Sequence, residues 1–187
     1  MPEARPGARD ALLDQLHSLF RTSGFDGVSI GTVSKLTGLG KSSLYHYFPG
    51  GKDDMALAVA ERAGARLREL VIAPLTAPGD RAARIGGMVA GVRAIYAEGA
   101  EPCLIAAMIA TGAPEPARAA LADLLQQWIA ALAAALRETG AAPDSAEPRA
   151  LEAISRIEGA LLIARAFHNP TLFNNELLRI KNDLDVR

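Results

Sequence analysis

Glycine and proline divide this chain into stretches in which apolar side chains return every third or fourth position, the repeat of one face of an α-helix. Residues 9–23 place Leu12, Leu16, Leu19 and Phe20 on such a face, and Gly24 stops the run. The same punctuation predicts a short helix from Ile30, a third from Gly40 or Lys41 to Phe48, and a long fourth over about 52–71. Further helices follow over about 80–98, 101–111, 115–139, 147–167 and 171–185, with Pro148 in a first turn. Ala makes up about a fifth of the 187 residues, and Leu, Arg and Glu supply much of the remainder. Runs of β-branched and aromatic residues are scarce, so the expected fold is all-α with about nine helices.

Composition narrows the function classes. The N-terminal MPEARPGARD has no apolar core of a leader, and the unbroken apolar run 129–136 is far below the ~18 residues that would span a bilayer. A cytoplasmic protein without a membrane partner is expected. One cysteine, Cys103, excludes an intrachain disulfide and a multi-cysteine zinc site. A base would have to come from His17, His46 or His168. His17 reads as a boundary residue beside Leu16, and His168 lies at a helix end before Pro170. No HExxH, phosphate loop or nucleophile elbow is present, so neither enzyme, metal nor cofactor is expected. Through Lys52 the chain carries six basic against four acidic residues, and after it fourteen against seventeen. A slightly basic module followed by an acidic one fits DNA at the first end.

The sharpest local signal is GLGKSSLYHYFPGGKDD at 38–54. Ser29 stands where an N-cap belongs, ahead of Ile30, Val33 and Leu36 at helical spacing, and Gly38 stands where a left-handed C-cap would follow. Leu44 and Phe48 are four apart, which turns them to the core and leaves Lys41, Ser42, Ser43, Tyr45, His46 and Tyr47 facing elsewhere. Two short helices with glycine at the bend form a helix-turn-helix, whose second helix sets donors and amphipathic rings against base edges and phosphates. The small Ser34 lies where the helices cross. Asp53 and Asp54 suit the positive end of helix four.

SGFDGVSIGTVSK and VSKLTGLGKSSLYHYFPGGKDDMALAV together resemble the DNA-binding region of the TetR family of bacterial transcriptional regulators, over about residues 9 to 60. The Pro49-Gly50-Gly51-Lys52 start to helix four resembles one branch of that family. By this resemblance Lys41, Ser42, Ser43, Tyr45, His46 and Tyr47 contact DNA, Ser29 joins them, and Lys52 holds a phosphate at a helix N-terminus. It implies a helix-turn-helix domain over 1–51, helix four as connector, and an effector-binding and dimerisation domain over 72–187.

RIEGALLIARAFHNPTLFNNELLRI resembles the last two helices of the same branch, which form a four-helix bundle between two subunits. Periodicity agrees. Ile154, Ile157, Leu161 and Ala164 make one face of the penultimate helix, and Leu151, Ser155, Leu162 and Ala166 a second. Phe173 and Leu177 complete the expected dimer interface. The resemblance also implies a cavity for a small hydrophobic effector, with Met88, Val92, Tyr96, Cys103, Met108, Trp128 and Leu132 as candidate walls. The expected function is a homodimeric regulator, a repressor released from an inverted-repeat operator in double-stranded DNA by that effector. A constitutive DNA-binding dimer, and a redox-responsive regulator acting through Cys103, are the alternatives.

Overall fold

A computed structural model of the chain describes residues 8–138, 140 and 142–185. All regular structure among them is helical: α1 Ala8–Ser23, α2 Ile30–Thr37, α3 Lys41–Tyr47, α4 Lys52–Leu67, a π-helical turn Arg68–Ile72, α5 Ala73–Thr76, α6 Arg81–Ile95, α7 Leu104–Ala110, α8 Glu115–Glu138, α9 Pro143–Ala166 and α10 Pro170–Asp185. Because α4, the π turn and α5 run on without a break, the ten segments form nine rods, the number the punctuation of the sequence predicts. Helix α9 starts earlier than its periodicity suggests. Pro143 takes the first turn, where its missing N–H costs nothing, and Pro148 lies inside the helix.

The chain divides into two compact units, and neither is continuous in sequence. Residues up to Gly64 join Leu104–Ala122, and Ala65–Cys103 join Asp123–Arg187. Helix α7, which sequence alone groups with an effector domain, packs on α1. The Thr111 hydroxyl explains the attachment: it accepts from Phe25 N–H at 2.6 Å and donates to the Ala107 carbonyl at 2.7 Å. Gly24 permits this, since it sits at φ +65° and a Cβ there would lie 2.4 Å from Thr111 Oγ1. Within the same unit Arg62 forks onto Asp10 and Asp14 of α1 at 2.9 and 2.7 Å.

In the second unit the π turn has a local cause. Pro74 has no N–H for the Leu70 carbonyl, and Ala73 N–H bonds five residues back to Arg68. Helix α6 lies so close to this turn and to α5 that a Cβ on Gly91 would fall 1.8 Å from Leu70 O, and one on Gly87 2.7 Å from Pro74 Cβ. Helix α10 closes the unit, turning Phe173, Leu177, Ile180 and Leu184 inward against α6 and α9.

Helix α8 is, among the described residues, the one helix long and apolar enough to cross a membrane. Its apolar side is a core face. Leu121, Leu124, Trp128, Leu132 and Leu136, three or four residues apart, are all buried.

Candidate nucleic-acid interface

Helix α2 is held by its caps. Ser29 Oγ accepts from Thr32 N–H at 3.0 Å, and Gly38 at φ +71° returns its N–H to the Ser34 carbonyl. No atom lies within 4 Å of a Cβ built on Gly38, so backbone conformation alone demands the glycine. The turn is tied by Ser34 Oγ donating to Leu39 O at 2.7 Å and by Thr37 Oγ1 accepting from Leu39 N–H at 3.2 Å. Leu44 and Phe48 are buried and fix the rotation of α3.

That rotation leaves Lys41, Ser42, Ser43, Tyr45 and His46 exposed and Tyr47 half-buried. Tyr45, 49 % exposed, lays its ring edge over Gly51, and His46 and Tyr47 meet edge to face at 6.0 Å. From Ser29 to Gly51 there are two lysines, Lys35 and Lys41, and no carboxylate, and both lysines are exposed. Donors, amphipathic rings and the exposed N-terminal turn of α3 lie on the surface that Leu44 and Phe48 leave uncovered. Such a face suits the major groove and the phosphates flanking it.

Three details are new relative to the sequence. Lys52 Nζ donates to the Phe25 carbonyl at 3.2 Å and sits 3.8 Å from the centre of the Phe25 ring, which stacks on Phe20. Phe25 is displayed by the turn that Gly24 and Thr111 create, a long-range arrangement that leaves no local trace in the sequence. Leu36, expected on the buried face of α2, is 47 % exposed, because an eight-residue helix buries only Val33 fully. Arg9 lies 5.9 Å over the Phe48 ring, and Thr32 Oγ1 approaches Ser29 Oγ at 2.9 Å, so both stand beside the interface without having been singled out.

Two family models cover most of the chain. Residues 12–64 match "Bacterial regulatory proteins, tetR family", and residues 82–175 match "Transcriptional regulator LmrA/YxaF-like, C-terminal domain". The chain belongs to the TetR family. It is therefore a DNA-binding transcriptional regulator and not an enzyme. Similar proteins include the HTH-type transcriptional regulator LmrA of Bacillus subtilis, 26 % identical over 169 residues, covering 88 % of this chain and 89 % of that protein. The uncharacterized HTH-type regulator YxaF of the same organism is 25 % identical over 166 residues, with 86 % of each covered. In fold, the chain resembles the crystal structure of a TetR transcriptional regulator from Legionella pneumophila with a TM-score of 0.84 at 18 % identity, over 98 % of this chain and 99 % of that one.

The other candidate residues divide as follows. Met88, Val92, Tyr96, Cys103, Trp128 and Leu132 are buried in the second unit, whereas Met108 is buried in the first. Tyr96 Oη lies 2.8 Å from Glu158 Oε1 and 3.6 Å from Cys103 Sγ, and burial pushes its hydroxyl well above the ordinary tyrosine value. Trp128 Nε1 is buried with no acceptor among the described residues. Along α9, Leu151, Ser155, Leu162 and Ala166 all lie at the surface, while Ile154, Ile157, Leu161 and Ala164 are buried. The α10 expectation needs correction. Phe173 and Leu177 are core residues of their own chain, Phe173 meeting the Tyr96 ring edge-on at 5.9 Å. The repeat that suggested an interface is the intrachain face, and the outward apolar residues of α10 are Leu172 and Leu178.

Proposed function

We propose that the chain is a homodimeric repressor of the bacterial cytoplasm that binds an inverted-repeat operator and is released by a small hydrophobic effector. The observation that carries this reading is the exposed donor set Lys41, Ser42, Ser43, Tyr45 and His46 on a helix anchored by Leu44 and Phe48. The exposed stripe on α9 supports dimerisation, since contiguous apolar surface on a single chain marks an interface. Two copies related by a two-fold axis require two half-sites related by the same axis. Release requires that the effector bind more tightly to a conformation that does not fit the operator.

The buried indole N–H of Trp128 favours an effector, because an unpaired buried donor is costly unless something accepts from it. The full burial of Met88, Trp128 and Leu132 favours the constitutive dimer. Selection of a duplex from a random pool, followed by operator affinity and Trp128 fluorescence against hydrophobic planar compounds, separates them. The repressor reading expects an inverted repeat whose affinity falls with a compound that alters Trp128 emission. Compounds that bind and leave operator affinity unchanged favour the constitutive dimer, and a single asymmetric site removes the two-fold mode.

A further inference from the structure

A groove of about 450 Å³ runs between α6 and α10, away from the core positions considered above for an effector. Its floor is apolar, from Val89, Ala90 and Leu177, and Leu178 forms part of its wall. Three charged groups line it: Arg93, Glu98 and Lys181. Arg93 Nε donates to Asn174 Oδ1 at 3.0 Å and pairs with Glu98 Oε2 at 2.9 Å, whereas Lys181 has no ion pair or hydrogen bond among the described residues. The groove thus carries a net positive charge over an apolar floor.

Gly86, which lines the groove, is a glycine that packing does not require. A Cβ on Gly91 would collide with the π turn and one on Gly87 with Pro74 of α5, but one on Gly86 would meet only Lys181 Cε and Nζ, at an ordinary 3.8 Å. Glycine inside a helix is unfavourable relative to alanine, so Gly86 lowers stability without any return in close contact. What it leaves is room. The strain of the neighbouring turn points the same way. Ala97 and Glu98 are consecutive non-glycine residues at φ +45° and +58°, and the turn is fastened by Asn174 Nδ2 donating to Glu98 O at 2.9 Å and by the Glu98–Arg93 pair.

We propose that this groove binds a small organic carboxylate with an apolar body, its carboxylate taken by Lys181 and Arg93 in place of Glu98 and its body lying over Gly86 against Leu177 and Leu178. Glu98 is then an internal stand-in for the ligand's anion. The ligand releases it from Arg93, and charge-assisted bonds to two cations distinguish an anion from its neutral isostere.

Calorimetric titration of the full chain with 1-naphthoate and with neutral 1-naphthamide, without DNA, tests this. Naphthoate should bind about tenfold more tightly than the amide. Glu98→Gln should strengthen naphthoate binding by releasing Arg93, and it should leave the fold intact because an exposed ion pair contributes little to stability. Lys181→Met should erase the preference for the anion. Gly86→Leu should block both compounds, while Gly86→Ala should raise the melting temperature by a few degrees and weaken both. The proposal is overturned by equal affinity for naphthoate and naphthamide, by naphthoate affinity that neither Lys181→Met nor Gly86→Leu changes, or by no naphthoate binding to wild type and Glu98→Gln at millimolar concentration. Since no operator is present, failure here leaves the repressor reading standing, and loss of the repressor reading leaves this site standing.

Discussion

Lys52 carries a charge that the fold itself uses. Its ammonium bridges the start of α4 to the Phe25 carbonyl and ring, so it joins the base of the helix-turn-helix to the turn after α1. Lys52→Met should lower stability by roughly 1 kcal/mol, the scale of one hydrogen bond plus a cation over an aromatic face. In the salt dependence of operator binding it should reduce the slope by much less than Lys41→Met, for which about one unit is expected. A full unit from Lys52→Met with an unchanged melting curve would return Lys52 to the phosphate. A second residue-scale prediction concerns Tyr96, whose buried hydroxyl ionises only well above the ordinary value of 10.0. The folded state holds this proton more tightly than the unfolded chain, so the associated stability is complete below about pH 10 and falls as pH rises beyond it. Tyr96→Phe should cost about 1 kcal/mol at neutral pH through the lost bond to Glu158. It should also flatten the alkaline limb of stability against pH, measured by denaturant melts between pH 9 and 11 as the ~10 reference value directs.

Helices were legible where their signals are local. Ser29 and Gly38 cap α2 as their residue types suggest, and Leu44 and Phe48 four apart set the buried side of α3. Contacts distant in sequence were not legible. Nothing near Thr111 indicates that its hydroxyl will cap Phe25, so the grouping of α7 with the DNA-binding helices is absent from the sequence pattern. On α10, spacing identified an apolar face but could not say whether the chain itself or a second copy covers it. Glycines make the distinction measurable. Gly38→Ala meets only an unfavourable left-handed backbone and should cost about 1 kcal/mol. Gly91→Ala instead drives a methyl into the Leu70 carbonyl, and two backbones must separate. Its loss should be several-fold larger, on the scale of the ~3 kcal/mol or more that accompanies serious overpacking. Thermal melts of the two variants, compared directly, decide the point, and similar losses would mean that α6 and the π turn separate easily.

At the scale of the whole molecule, the proposed two-fold mode gives each chain one recognition helix, α3, and makes tight operator binding depend on a second copy. Leu162 and Phe167 are each 71 % exposed near the C-terminal end of α9, with Ile163 half-exposed between them and Leu151 exposed near its start. Leaving these side chains in water forfeits the transfer energy that burial against a partner would supply, roughly 25 cal/mol per Å². Leu162→Glu with Phe167→Glu should therefore convert a dimer to a monomer, because two carboxylates would have to be desolvated at the interface in each copy. Neither side chain supports the core of its own chain, so helical content should persist in the monomer. Its affinity for an isolated half-site should match that of the dimer. Affinity for the full inverted repeat should fall by about 10² or more, since linking two binding modules raises avidity over either alone by that order. Sedimentation and a binding series on half-site and full-site duplexes measure both quantities. A variant that stays dimeric would place the interface away from this end of α9, whereas a monomer that retains full-site affinity would mean that each recognition helix acts alone.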